Sequence, residues 1–89
     1  MDFDWDDANI RHIERHGVDV EEAEDAVLDE YARDFPSHRG PLSQRRFGIL
    51  GRALTGRVLV VILEERGRKF RVVTARLATS KERKLYEQI

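Results

Sequence analysis

In Gln44–Leu50 and again in Arg68–Arg76 apolar and polar positions recur with a period close to two, on either side of an unbroken apolar run, while the segments before and after this region repeat them every three to four residues. That contrast predicts strands in the middle and helices at both ends. In Gln44–Leu50, Phe47 and Ile49 fall on one side and Arg46 and Gly48 on the other, as in a half-buried strand. Arg57–Leu63, R-V-L-V-V-I-L, is apolar on both faces and reads as a central strand covered on two sides. The glycines at 51 and 56 bracket the turn that joins these two strands. Glu65-Arg66-Gly67 forms the next turn, with Gly67 where a hairpin needs a positive φ. Arg68–Arg76 then completes a three-stranded meander, with Phe70, Val72 and Thr74 toward the core and Lys69, Arg71, Val73 and Ala75 away from it.

Ahead of the strands, Asp6 or Asp7 can cap a helix that runs to about His16, with Ile10 and Ile13 inward and Gly17 closing it. Asp19 with Glu22 forms an acidic capping box for a second helix, whose stripe is Val20, Ala23, Val27 and Tyr31, with Ala26 beside them. Its outer face carries Glu21, Glu24, Asp25 and Asp29, which reads as a solvated surface. Phe3-Asp4-Trp5 is an edge strand or an apolar anchor. Arg33–Ser43, with Pro36, Gly40 and Pro41, reads as a loop. Thr79 with Glu82 caps a final helix that carries Lys84, Leu85, Tyr86 and Gln88. The expected fold is α+β over one domain, residues 1–89, with two N-terminal helices on one face of a small antiparallel meander and a C-terminal helix.

Eighty-nine residues hold one small core. The absence of cysteine excludes disulfides and thiolate metal sites, and no apolar run reaches the roughly 18 residues that span a bilayer. These features place the chain in the cytoplasm, away from membranes. Charge adds more. Residues 1–35 hold 13 Asp/Glu against 3 Lys/Arg, and residues 36–89 hold 4 against 13, although the net charge is only −1. Such a chain either pairs its halves across the fold or presents a basic face to nucleic acid or to a charged protein.

No spacing of metal ligands, no Gly-rich phosphate loop and no nucleophile–base pair stands out; His12 and His16 are i, i+4 but lack the Glu of a zinc helix. The expectation is therefore no metal and no cofactor. What remains is a set of cations and proton carriers: His16, Arg46, Arg71, Arg76, Lys81, Arg83 and Tyr86. Strand parity puts Arg46 and Arg71 on the open face of the sheet, where two guanidiniums can clamp a phosphate. Cleavage of RNA by its own 2′-hydroxyl needs only a base, an acid and cations. Plainer readings stand beside these: the arginines as a solvated face or as phosphate ligands without chemistry, His16 as a helix end, Arg76 paired with Glu82, Tyr86 as packing.

F-D-W-D at 3–6, E-R-H-G at 14–17, V-E-E-A at 20–23, R-R-F-G-I-L-G at 45–51, G-R-V-L-V-V at 56–61 and A-R-L-A-T-S-K-E-R-K-L-Y-E at 75–87 together resemble the BrnT toxins of bacterial type II toxin–antitoxin systems. The resemblance implies a RelE-like fold, metal-independent endoribonuclease activity that inhibits translation, and neutralisation by a BrnA-type ribbon-helix-helix antitoxin. It further implies a heterotetramer of two toxins and two antitoxins that contacts operator DNA only through the antitoxin. Within the matched motifs, His16, Arg46, Arg71, Arg76, Lys81 and Tyr86 are the catalytic candidates and Arg45, Lys69 and Arg83 the RNA-binding ones. At Gln44-Arg45-Arg46 the chain departs from the family's usual acid before the arginine. The alternative function is a non-catalytic protein and nucleic-acid binding module within an autorepressing complex.

Overall fold

The computed structural model describes residues 1–88. The elements run β1 (Asp2–Phe3), α1 (Asp7–Arg15), α2 (Val20–Leu28), β2 (Arg33–Phe35), β3 (Arg46–Arg52), β4 (Val58–Arg66), β5 (Lys69–Leu77) and α3 (Ser80–Glu87). All strands join one sheet in the order β1-β5-β4-β3-β2, antiparallel except where β1 pairs in parallel with β5. The α+β class and the central meander match the sequence pattern, and the sheet gains one short strand at each edge.

Capping follows the side chains closely. Asp6 accepts from the amides of Ala8 and Asn9, Asp19 from Glu22 and Thr79 from Glu82, and each residue three positions on reaches back to its cap. Those bonds satisfy amides that have no partner within the helix. The turn between β4 and β5 is Gly67-Arg68, one residue later than expected, and Gly67 has φ 60°. It sets Glu64 opposite Arg71.

On one side of the sheet, α1 and α2 cover Leu59, Val61, Leu63, Val72 and Ala75 with Ile13, Val18, Ala23 and Ala26. The reverse side carries a second cluster, Leu50, Val58, Val60 and Ala78, against which Phe35, Ile62 and Tyr86 pack. The expectation of one core is therefore corrected: α3 covers part of the far face, which is why β4 is apolar on both sides. Arg33 Nη1 donates to the Leu85 carbonyl and ties α3 to β2.

Three further expectations change. Arg33–Phe35 is a strand rather than loop, because Gly48 lets β2 approach so closely that a Cβ there would lie 2.1 Å from the Phe35 carbonyl oxygen. Tyr31 is 72% exposed, since α2 ends at Leu28 before the stripe reaches it. In β5, Val72 pairs with Leu63 and Thr74 with Ile62, so Val73 is an extra residue. This bulge reverses the facing of everything after it. Ala75 is consequently buried in the helix-side core, where alternation predicts Thr74.

The acidic face of α2 is not merely solvated. Glu24 accepts from Trp5 Nε1 at 2.8 Å, Asp25 from the Leu54 amide at 3.2 Å and Asp29 from the Arg52 amide at 2.8 Å. The buried Glu22 accepts from Thr55 Oγ1 and Arg57. Much of the acidic half thus pairs with the basic half across the fold.

Candidate functional site

The far face of the sheet, where α3 leaves it open, carries two adjoining hollows. The smaller, about 250 Å³, extends past β5 to α1 and is lined by His12 together with Arg46, Glu64, Arg66 and Arg71. The larger, about 350 Å³, is bounded by Phe35, His38, Arg39, Ile62 and Arg76. Arg46 and Val73 line both, so the two form one groove.

Strand register assembles this groove. Arg46 on β3 and Arg71 on β5 are both cross-strand partners of Glu64 on β4, and directly opposed residues share a face. The sequence-derived pairing of Arg46 with Arg71 is thereby placed on one face. Arg76 is five residues beyond Arg71, and in a regular strand an odd separation would send it to the helix side. The extra residue Val73 returns it to the groove face.

Carboxylates hold each of these arginines. Glu64, only 1% exposed, accepts from Arg46 Nε at 3.1 Å and from Arg66 Nε at 2.5 Å. Burial pushes its carboxyl up, but the hydrogen bonds from Arg66 and Arg46 outweigh that and hold it below the usual carboxylate range. Glu64 thus supplies Arg46 with the acid that Gln44 does not; the Gln44 amide oxygen accepts instead from the Leu42 amide. Arg71 makes a bidentate pair with Asp6, 3.0 Å for both bonds, and approaches Asp4 at 3.8 Å. The Asp6 hydrogen bond raises the Arg71 guanidinium further above its ordinary value. Arg76 is bidentate to Glu82 at 2.7 and 2.9 Å, and this bond draws the Glu82 carboxyl down to about 2. That pairing agrees with the plainer reading of Arg76.

The remaining sequence candidates lie outside the groove lining. His16 is exposed at the end of α1, its ring edge-on to that of His12 with centroids 5.1 Å apart. Tyr86 donates to Asp29 at 2.5 Å, and burial together with that carboxylate pushes its phenol up to about 12. Lys81 borders a further apolar hollow that shares Phe35 with the groove and is also lined by Leu85, and Arg83 is exposed on the same helix. Arg45 pairs with Glu65 at 3.6 Å and lies over the Phe47 ring, while Lys69 is exposed at the start of β5.

Sequence reasoning missed His12, Glu64, Arg66, His38 and Arg39. His12 Nε2 sits 3.0 Å from Thr74 Oγ1, and the neighbouring Asn9 holds α1 to β5 by donating to the Val72 carbonyl at 3.1 Å. Glu64 and Arg66 were accessible to a register count outward from the Gly67-Arg68 turn. His38 and Arg39 sit in a loop with no periodicity to orient them. Among the described residues no three His, Asp or Glu side chains converge as a metal site would require.

A groove of guanidiniums beside an imidazole is chemistry for binding a phosphodiester and moving a proton near it. No curated protein matches the chain closely enough to be counted a relative. A family profile described as the ribonuclease toxin BrnT of type II toxin–antitoxin systems matches residues 5–82, a span that contains the whole groove. The chain therefore belongs to the BrnT family of ribonuclease toxins.

Proposed function

We propose that this chain cleaves RNA in the groove, without a metal, by attack of a 2′-hydroxyl on the adjacent phosphorus. The observation that carries the reading is the placement of Arg46 and Arg71 on either side of Glu64, with His12 lining the same hollow and Arg76 the adjoining one. His12 takes the 2′-hydroxyl proton as O2′ bonds to phosphorus and the P–O5′ bond breaks. The guanidiniums stabilise the charge gathering on the phosphoryl oxygens, and His38 gives a proton to the leaving 5′-oxygen. The products are a 2′,3′-cyclic phosphate and a 5′-hydroxyl. Lys81, Arg83, Arg45 and Lys69 act outside the centre, on flanking phosphates.

The toxin inhibits translation in the cytoplasm and is neutralised by a BrnA-type ribbon-helix-helix antitoxin. Two copies of each form a complex that reaches operator DNA through the antitoxin. A second reading, a non-catalytic module of that complex, is favoured by one observation: Arg71 and Arg76 are already held bidentately by Asp6 and Glu82. A cleavage assay separates the two. His12→Gln is expected to lower the rate by about 10²–10⁴-fold with RNA binding retained, and His16→Gln to change it less than about threefold because its ring lies outside the groove. Equal rates for wild type and His12→Gln would remove the groove from the mechanism.

A further inference from the structure

Glu64 is unusual for its surroundings. The residues that precede it on the same face of β4, Val58, Val60 and Ile62, are apolar, and an apolar side chain would continue that face. Instead the position carries a carboxylate that is 1% exposed and accepts one hydrogen bond from each of two arginines. Both bonds come from Nε. The Nη groups of Arg46 and Arg66 have no acceptor among the described residues, and no buried side-chain nitrogen in those residues lacks a partner. The Arg46 Nη groups therefore keep access to solvent, and Arg46 and Arg66 line the same hollow.

We propose that Glu64 is a positioning residue: it fixes Arg46 and Arg66 by their Nε atoms so that their Nη groups form a two-guanidinium clamp for one phosphodiester of single-stranded RNA. Arg66 thereby joins the site as a phosphate ligand. This rests on the groove being the RNA site, and it adds an organising acid beneath the clamp. The acid sets the direction of two long side chains before the ligand arrives, which lowers the ordering cost of binding. It also leaves the paired Nη donors of each guanidinium for the oxygens they match.

The test turns on sign. Glu64→Gln removes a negative charge beside an anion site, so attraction by net charge alone tightens RNA binding; loss of positioning weakens it. The probe is a short 2′-O-methylated RNA, which cannot be cleaved by its own hydroxyl, titrated onto the full chain at several salt concentrations. We expect Glu64→Gln to weaken binding by tenfold or more. Arg66→Lys keeps the charge but not the Nε bond, and is expected to weaken it by about fivefold; Arg66→Ala should do so as well and lower the slope of log affinity against log salt by about 0.7, the share of one single-strand phosphate contact. Arg66 is half exposed, so its variants keep the test available should Glu64→Gln fail to fold. Tighter or unchanged binding in Glu64→Gln with the fold intact, unchanged binding in Arg66→Lys, or no binding by wild type would overturn the proposal. Cleavage of unmodified RNA by wild type, measured separately, decides the ribonuclease reading, which can stand while the clamp falls.

Discussion

Gly51→Ala tests the packing beneath the site, because general expectation and this structure give opposite signs. Replacing glycine in a strand ordinarily stabilises, since alanine restricts the unfolded chain and favours extended backbone. At Gly51, however, a Cβ would lie 2.0 Å from the Ala26 carbonyl oxygen, 2.8 Å from its carbon and 3.2 Å from its Cα. All three are backbone atoms of α2, so no side chain can rotate away. Relief requires α2 to lift from β3 by more than an ångström. The helix is tied on that side by Asp29 to the Arg52 amide, Asp25 to the Leu54 amide and Glu22 to Thr55. Lifting it strains those bonds and opens the core around Ala23 and Ala26, both fully buried. Overpacking of this kind costs about 1–3 kcal/mol, and a backbone clash belongs at the upper end. For a chain of this size that lowers the melting temperature by roughly 10–20 °C. Urea unfolding followed by circular dichroism, with an unchanged m-value, would register the loss. A variant as stable as wild type, or more stable, would refute the close α2–β3 contact.

Three other perturbations bear on the arginines and on α3. Asp6→Asn keeps a helix cap but releases Arg71, and should raise RNA affinity by about threefold, the scale of an exposed ion pair; unchanged affinity would mean that Arg71 serves only to hold the N-terminal segment. Glu82 is held down to about 2 by Arg76, so its contribution to stability is complete above its ordinary value of 4.5 and is lost as pH falls from there toward 2. Because the Arg76 side chain is 41% exposed, that contribution is about 1 kcal/mol, and Glu82→Gln should flatten the fall in denaturation midpoint across that window. Tyr86→Phe removes the hydroxyl that donates to Asp29 and should destabilise by about 1–2 kcal/mol with cleavage rates preserved; a large loss of activity at unchanged stability would return Tyr86 to the catalytic set.

The period-two run between Phe47 and Val72 and the three capping acids or hydroxyls fixed the meander and the helix starts, because alternation and caps are local physics. Parity also placed Arg46 and Arg71 on a common face. It failed after Val73, since a bulge depends on how β5 meets β4 and α1 and has no signature in V-V-T-A. Chain length argues for one core, yet the two apolar faces of β4 already ask for cover on both sides; that α3 supplies it is not visible in the sequence, because α3 presents one aromatic, Tyr86, to the far face rather than an apolar stripe. His12 and Glu64 were passed over for related reasons. The sequence offers His12 only as a metal-ligand spacing with His16, and Glu64 falls between the strand read to Leu63 and the turn read from Glu65, although counting outward from Gly67-Arg68 sets it opposite Arg71. Pairing across the sheet, more than residue type, decided which cations could share a site. The carboxylates that hold Arg71 and Arg76 come instead from helix N-termini, Asp6 of α1 and Glu82 of α3.

The most direct test of the account is the chemistry of the ends it leaves. The purified chain, freed of antitoxin and kept in chelator, should convert RNA to fragments carrying 2′,3′-cyclic phosphate and 5′-hydroxyl ends, and Arg46→Ala should suppress their formation. Fragments ending in 3′-hydroxyl, or no fragments under any condition in which the chain remains folded, would contradict it.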